Sequence, residues 1–307
     1  MKEFIKNISP FNNRTDMPAA MSVIKKLLAF ILCFAAGTLL GNAVVIGAMI
    51  VGGKKFLQGE TFTESTMELL GLYAMAGMIA ASVLYWKIIE KRNLSEMGVT
   101  GRIGGWLIGA LIGVGLLAVC VAAIMITGSI SYEGLSKDTN IPMLMLMLGG
   151  FIIQGAAEEF LCRGLVLCSL RDRVPLPVAV VAGTLAFIYP HLSTLREFEL
   201  QYVFSGLLCL VVISCVFSFI TLRTGSIWAA CGLHSVWNFC LCCVLGLDLS
   251  GSEGASTALI NMRSVGNDLL NGGNYGIEAS IIADIVIAAA AVLLWQIYKK
   301  NNTERQA

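Results

Sequence analysis

Glu158-Glu159-Phe160-Leu161-Cys162-Arg163-Gly164 lies inside an apolar run that extends over 142–170. A run of that length predicts a helix crossing a bilayer, which needs about 20 apolar residues. Glu158, Glu159 and Arg163 are out of place in it. Each charged group costs roughly 2.5–3.5 kcal/mol at the centre of a bilayer on insertion scales. That cost makes sense only where these groups face a polar cavity between helices. The fold class that follows is all-α: a polytopic membrane helix bundle with a site in its interior.

Composition points the same way. Of 307 residues, 57% are hydrophobic and 13% charged, and the mean hydropathy is +0.79, values that exclude an ordinary soluble domain. A net charge of +1 argues against a nucleic-acid partner and leaves the lipid bilayer as the surroundings. About eight spans can be drawn, near 28–51, 68–88, 104–127, 142–170, 176–190, 202–222, 226–247 and 280–298. This divides the chain into a cytoplasmic N-terminal tail (1–27), a transmembrane bundle (28–298) and a cytoplasmic C-terminal tail (299–307). The fifth span is short and bounded by Pro175, Pro177 and Pro190, which predicts a helix that is broken or stops within the membrane. The connection over 248–278 is the longest, rich in Gly, Ser and Asn, and reads as flexible.

Lys and Arg crowd one set of connections, with Lys87, Lys91, Arg92 and Arg102 in one and Arg171 and Arg173 in another. They are sparse in the alternate set, at Lys54, Lys55, Lys137, Arg196 and Arg263. The positive-inside rule therefore places a multi-pass protein in the cell membrane with both termini cytoplasmic. All ten cysteines fall in apolar segments without a zinc-type repeat, so they read as small hydrophobes rather than as disulfides or thiolate ligands. Gly37-x-x-x-Gly41 and the Gly105, Gly109, Gly113 series predict close helix packing. No internal repeat is evident, which counts against a carrier built from inverted halves.

Residues four apart on a helix are neighbours, so Glu159 pairs with Arg163. Glu158, about 100° further round, is left without a local partner and faces a reacting molecule. The only two histidines follow in later spans: His191 after Phe187-Ile188-Tyr189-Pro190, and His234 in His234-Ser235-Val236-Trp237-Asn238. At 1.5 Å per residue, Glu158, His191, His234 and Asn238 lie about 18, 22, 12 and 18 Å from the inner ends of their spans, one broad central band. The plainer readings are an interhelical Glu–Arg clamp, satisfied buried histidines, and Phe187, Tyr189 and Trp237 as packing. Ser235 points about 100° away from His234, which discounts a serine nucleophile. Six polar groups at similar depth favour a site.

These three motifs, in this order, resemble the CAAX-processing and bacteriocin-immunity family of intramembrane proteases. Its pattern of Glu-Glu-x-x-x-Arg, Phe-x-x-x-His and His-x-x-x-Asn is matched by Glu158, Glu159 and Arg163, by Phe187 and His191, and by His234 and Asn238. The resemblance covers about 142–247. It implies proteolysis of a membrane-associated protein or peptide, in eukaryotic members after a prenylated cysteine. It further implies that Glu158 and His191 activate water, that His234 and Asn238 stabilise the oxyanion or position the water, and that Glu159 and Arg163 support them. Glu158, His191 and His234 also make a chemically reasonable catalytic zinc set, although the local His-Glu-x-x-His helix of common zinc proteases is missing. A metal-free alternative uses Glu158, its pKa raised by burial, as the base. The competing functional class is a non-catalytic membrane immunity or partner-binding protein that retains the site.

Overall fold

The computed structural model describes residues 2–137, 139–255 and 258–306. Seven helices among them are long and apolar enough to cross a membrane: Ala19–Val51, Glu64–Ile89, Gly104–Ile126, Ile141–Cys168, Leu176–Leu195, Leu200–Thr224 and Ile281–Lys300. An eighth apolar helix, Trp228–Val244, is shorter. The chain is thus a membrane helix bundle of the expected class. Its elements are α1 (Lys2–Ile8), α2 (Ala19–Val51), α3 (Glu64–Ala74), α4 (Ala76–Leu84), α5 (Gly104–Ile126), α6 (Ile141–Glu159), α7 (Leu176–Leu195), α8 (Leu200–Thr224), α9 (Trp228–Phe239), α10 (Asp268–Asn271) and α11 (Ile281–Gln306). Wider π-helical turns extend three spans: Tyr85–Ile89 after α4, Phe160–Cys168 after α6 and Cys240–Val244 after α9.

The small-residue spacings do bring backbones together. Gly109 and Gly113 of α5 lie against Ala229 and Leu233 of α9, and Gly232 of α9 lies against Trp106. A Cβ at Gly109 or Gly232 would enter the opposing carbonyl, so only glycine allows this approach. Gly155 of α6 similarly meets Ser235 of α9. The start of α9 is pinned by Trp228 Nε1, which donates to Thr100 O at 2.7 Å, and by Ile227 N, which donates to Gly98 O at 3.0 Å. Thus α9 is wedged between α5 and α6 at fixed depth.

Four expectations need correction. α7 does not break at Pro190 but runs on to Leu195; the buried Leu195 packs on Gly206 of α8, and that burial outweighs the missing proline N–H. The short apolar helix is instead the one holding His234. Lys25 and Lys26 do not precede the first span, because α2 begins at Ala19, and both are buried in it. Lys26 Nζ lies 2.8 Å from Glu90 Oε1, which supplies a counter-charge, and Lys25 Nζ donates to Arg14 O at 3.0 Å. Finally, the described residues of the 248–278 connection are organised. β1 (Ile130–Leu135) pairs antiparallel with β2 (Ile260–Ser264), Ile130 opposite Ser264 and Leu135 opposite Ile260, with a bulge between Tyr132 and Gly134. Asn271 Nδ2 donates to Ser129 O and Val265 O at 3.1 and 2.8 Å, tying α10 to the sheet. At the far end of α11, 299–306 continues the helix.

Candidate active site

Glu158 and Glu159 close α6, and the π-helical turns begin at the next residue. Such turns occur often at functional sites. Glu159 is fully buried and its Oε1 accepts from Arg163 Nη1 at 3.0 Å and from His234 Nδ1 at 3.1 Å. Arg163, also fully buried, donates through Nη2 to Ser214 Oγ at 2.7 Å and to Ser214 O at 3.1 Å. Ser214 Oγ is 2.9 Å from Thr184 Oγ1. The guanidinium lies between the rings of Phe187 and Phe217, its carbon 4.8 and 4.9 Å from their centroids. Cation–π attraction and charge-assisted hydrogen bonds thus replace the hydration that Arg163 lacks. Glu159 and Arg163 pair as their four-residue spacing predicts, and Glu159 also contacts His234.

His234 stacks on Phe217 with centroids 4.9 Å apart and planes 18° apart. Because a carboxylate only accepts, Nδ1 carries a proton and Nε2 is left to act. Nε2 lies 3.9 Å from Glu158 Oε2, a buried oxygen with no hydrogen-bond partner. Glu158 is not without a local partner, contrary to expectation: Gln154, one turn earlier, donates Nε2 to Glu158 Oε1 at 3.2 Å. Gln154 Oε1 in turn accepts from Asn238 Nδ2 at 2.9 Å. One glutamine therefore joins Glu158 to Asn238.

His191 stands apart from this chain of contacts. Its Nδ1 lies 2.8 Å from Phe187 O, which as a carbonyl fixes the proton on Nδ1 and leaves Nε2 free. It lines a cavity of about 350 Å³ together with Gln154, His234 and Asn238. Glu158 borders a separate small pocket of about 30 Å³ with Pro190, and Met75 borders both. Four of the six expected residues (Glu158, Glu159, Arg163 and His234) are in direct contact, Asn238 joins them through Gln154, and His191 faces the cavity that His234 and Asn238 also line. Among the described residues, no three His, Cys, Asp or Glu side chains converge closely enough to hold a metal ion. Glu158, His191 and His234 as arranged do not form a zinc set.

Gln154, Ser214, Thr184 and Phe217 belong to the site but were not singled out from the sequence. Gln154 carried a usable signal, a polar residue four before Glu158 in an apolar span. The other three are brought in only by packing of α7 and α8.

Residues 140–240, which hold all six expected residues, match the Rce1-like family model, described as type II CAAX prenyl endopeptidase Rce1-like. Over this stretch, about a third of the chain, the sequence is similar to that family. The expected range of 142–247 starts two residues later and ends seven residues further on. No curated protein and no solved structure matches the chain.

Proposed function

We propose that this chain is an intramembrane endopeptidase that hydrolyses a peptide bond of a membrane-associated protein or peptide, with Glu158 as the base. One observation carries the reading. The unpartnered Oε2 of Glu158 sits 3.9 Å from His234 Nε2, the nitrogen that Glu159 leaves available by holding Nδ1. A separation of that size suits a water bridging two polar groups.

In the reaction, that water loses a proton to Glu158 Oε2 as its oxygen attacks the scissile carbonyl carbon. General-base help of this kind is worth about 10²–10⁴ in rate. The negative charge that develops on the carbonyl oxygen receives the second N–H of Asn238, whose first is held by Gln154. Loss of one such donor costs about 10²–10³. When the C–N bond breaks, the departing nitrogen takes up the proton, passed on by Glu158 or through His191 Nε2 at the cavity wall. Placing both termini in the cytoplasm puts the cavity rim, at Glu68 and Ser252, on the opposite face of the membrane.

The test uses the purified chain in lipid nanodiscs with membrane-anchored peptides, products being read by mass spectrometry. Wild type is expected to release two peptide products and Glu158→Gln neither. No cleavage by wild type across a broad peptide panel would remove the proposal in favour of the partner-binding class.

A further inference from the structure

The cavity that holds His191 and His234 has further polar side chains in its lining. They are Glu68 of α3, Ser250, Tyr275 and Glu278. Glu278 is fixed in place: Oε1 accepts from Trp237 Nε1 at 3.2 Å, and Oε2 accepts from the Ser250 hydroxyl. Trp237 also lines the cavity and is the chain neighbour of Asn238, so this carboxylate is tied to that site residue. Tyr275 is 1% exposed, and its ring packs edge-on against Phe198 at 5.2 Å. Its hydroxyl is buried against the cavity without a hydrogen-bond partner. Burial holds that hydroxyl in its protonated form, able to donate and accept.

No lysine or arginine lines the cavity among the described residues. Arg163 is turned away, committed to Glu159 and Ser214 between two phenyl rings. A cleft whose only charged lining groups are carboxylates focuses a negative potential within low-dielectric walls. An unpaired buried hydroxyl is unfavourable until a partner arrives. Both features call for the same kind of occupant: a cation that is also a hydrogen-bond donor.

We propose that Glu278 and Tyr275, with Glu68 adding to the negative field of the same cavity, form a subsite for a lysine or arginine side chain of the peptide substrate, displaced along the peptide from the bond that is cleaved. The assignment rests on the endopeptidase reading and narrows its substrate class to basic segments. A free C-terminal carboxylate would meet like charge here, so an internal basic segment is the better fit.

The subsite is tested by binding to the non-cleaving Glu158→Gln chain in nanodiscs. The probes are three fluorescent, membrane-anchored, C-terminally amidated peptides that differ only in carrying Lys, Gln or Glu at one position. The Lys peptide is expected to bind about tenfold or more tightly than the Gln peptide, since hydrogen bonds to charged groups are the stronger class. The Glu peptide should bind more weakly than either. Adding Glu278→Gln should bring the Lys and Gln peptides to within about twofold of each other, with the Gln peptide unaffected. If Glu278→Gln disrupts the fold, binding of the Gln peptide falls too, and Tyr275→Phe then serves as the readout, expected to reduce the Lys preference. Equal affinity for the three peptides, or a Lys preference that survives both substitutions, overturns the subsite. Wild-type cleavage without a Lys preference would remove the subsite alone. A Lys preference without cleavage would remove the endopeptidase reading and leave a basic-peptide binding cavity.

Discussion

Replacing Glu159 with alanine removes an oxygen that serves two buried partners, Arg163 Nη1 at 3.0 Å and His234 Nδ1 at 3.1 Å. Arg163 would keep its bonds to Ser214 and its two phenyl faces, but its charge would have no counter-ion. Breaking a buried pair by removing one partner typically costs about 3–5 kcal/mol. Removing both charges behaves differently. In Glu159→Leu with Arg163→Met, Ser214 Oγ retains Thr184 and only His234 Nδ1 is stranded, a loss of about 1–3 kcal/mol. The double variant should therefore be more stable than Glu159→Ala. The ten cysteines, all free and mostly buried, supply the assay: a thiol-reactive dye reports unfolding as detergent or temperature is raised. A Glu159→Ala protein within about 0.5 kcal/mol of wild type, or a double variant less stable than the single, would refute the account of this pair.

Gln154→Leu removes the donor to Glu158 Oε1 and the anchor of Asn238. Turnover should fall about tenfold or more with little change in the folded fraction, read by peptide cleavage beside the thiol assay. Gly109→Ala forces α5 off α9, and overpacking of this kind costs about 1–3 kcal/mol. Because α9 carries His234 and Asn238, activity and stability should fall together in that variant. Asp248, outside the spans, has its pKa raised above the usual carboxylate range, chiefly by burial and despite a hydrogen bond from Gly254 N–H. A raised folded pKa favours the protonated form, so its contribution is present below the ordinary carboxylate range and lost as pH rises through the raised value. Hydrogen-exchange protection over 248–278, taken relative to the intrinsic rate at each pH, should fall across that window in wild type and not in Asp248→Asn.

Much of this was legible in the chain. Glu158, Glu159 and Arg163 in an apolar run announce an interior site because the bilayer penalises charge so heavily. The Glu159–Arg163 pair followed from helical spacing alone. The role of Gln154 was missed although the same spacing pointed to it. Phe217, Ser214 and Thr184 were not readable, because their part in the site arises from how α7 and α8 pack, which no local pattern encodes. Pro190 misled for a related reason: local propensity predicts a break, and the burial of Leu195 beyond it carries the helix on. The 248–278 connection read as flexible from its Gly, Ser and Asn content, whereas pairing of β2 with a distant β1 organises it.

The most direct test of the central claim is turnover of one membrane-anchored peptide by chelator-treated wild type and by Glu158→Gln, side by side. With Glu158 and His234 acting on water without a metal, chelated wild type keeps its rate and Glu158→Gln loses at least about 10². Wild-type activity that vanishes with the chelator and returns with zinc would contradict the account, as would a Glu158→Gln protein that cleaves at the wild-type rate.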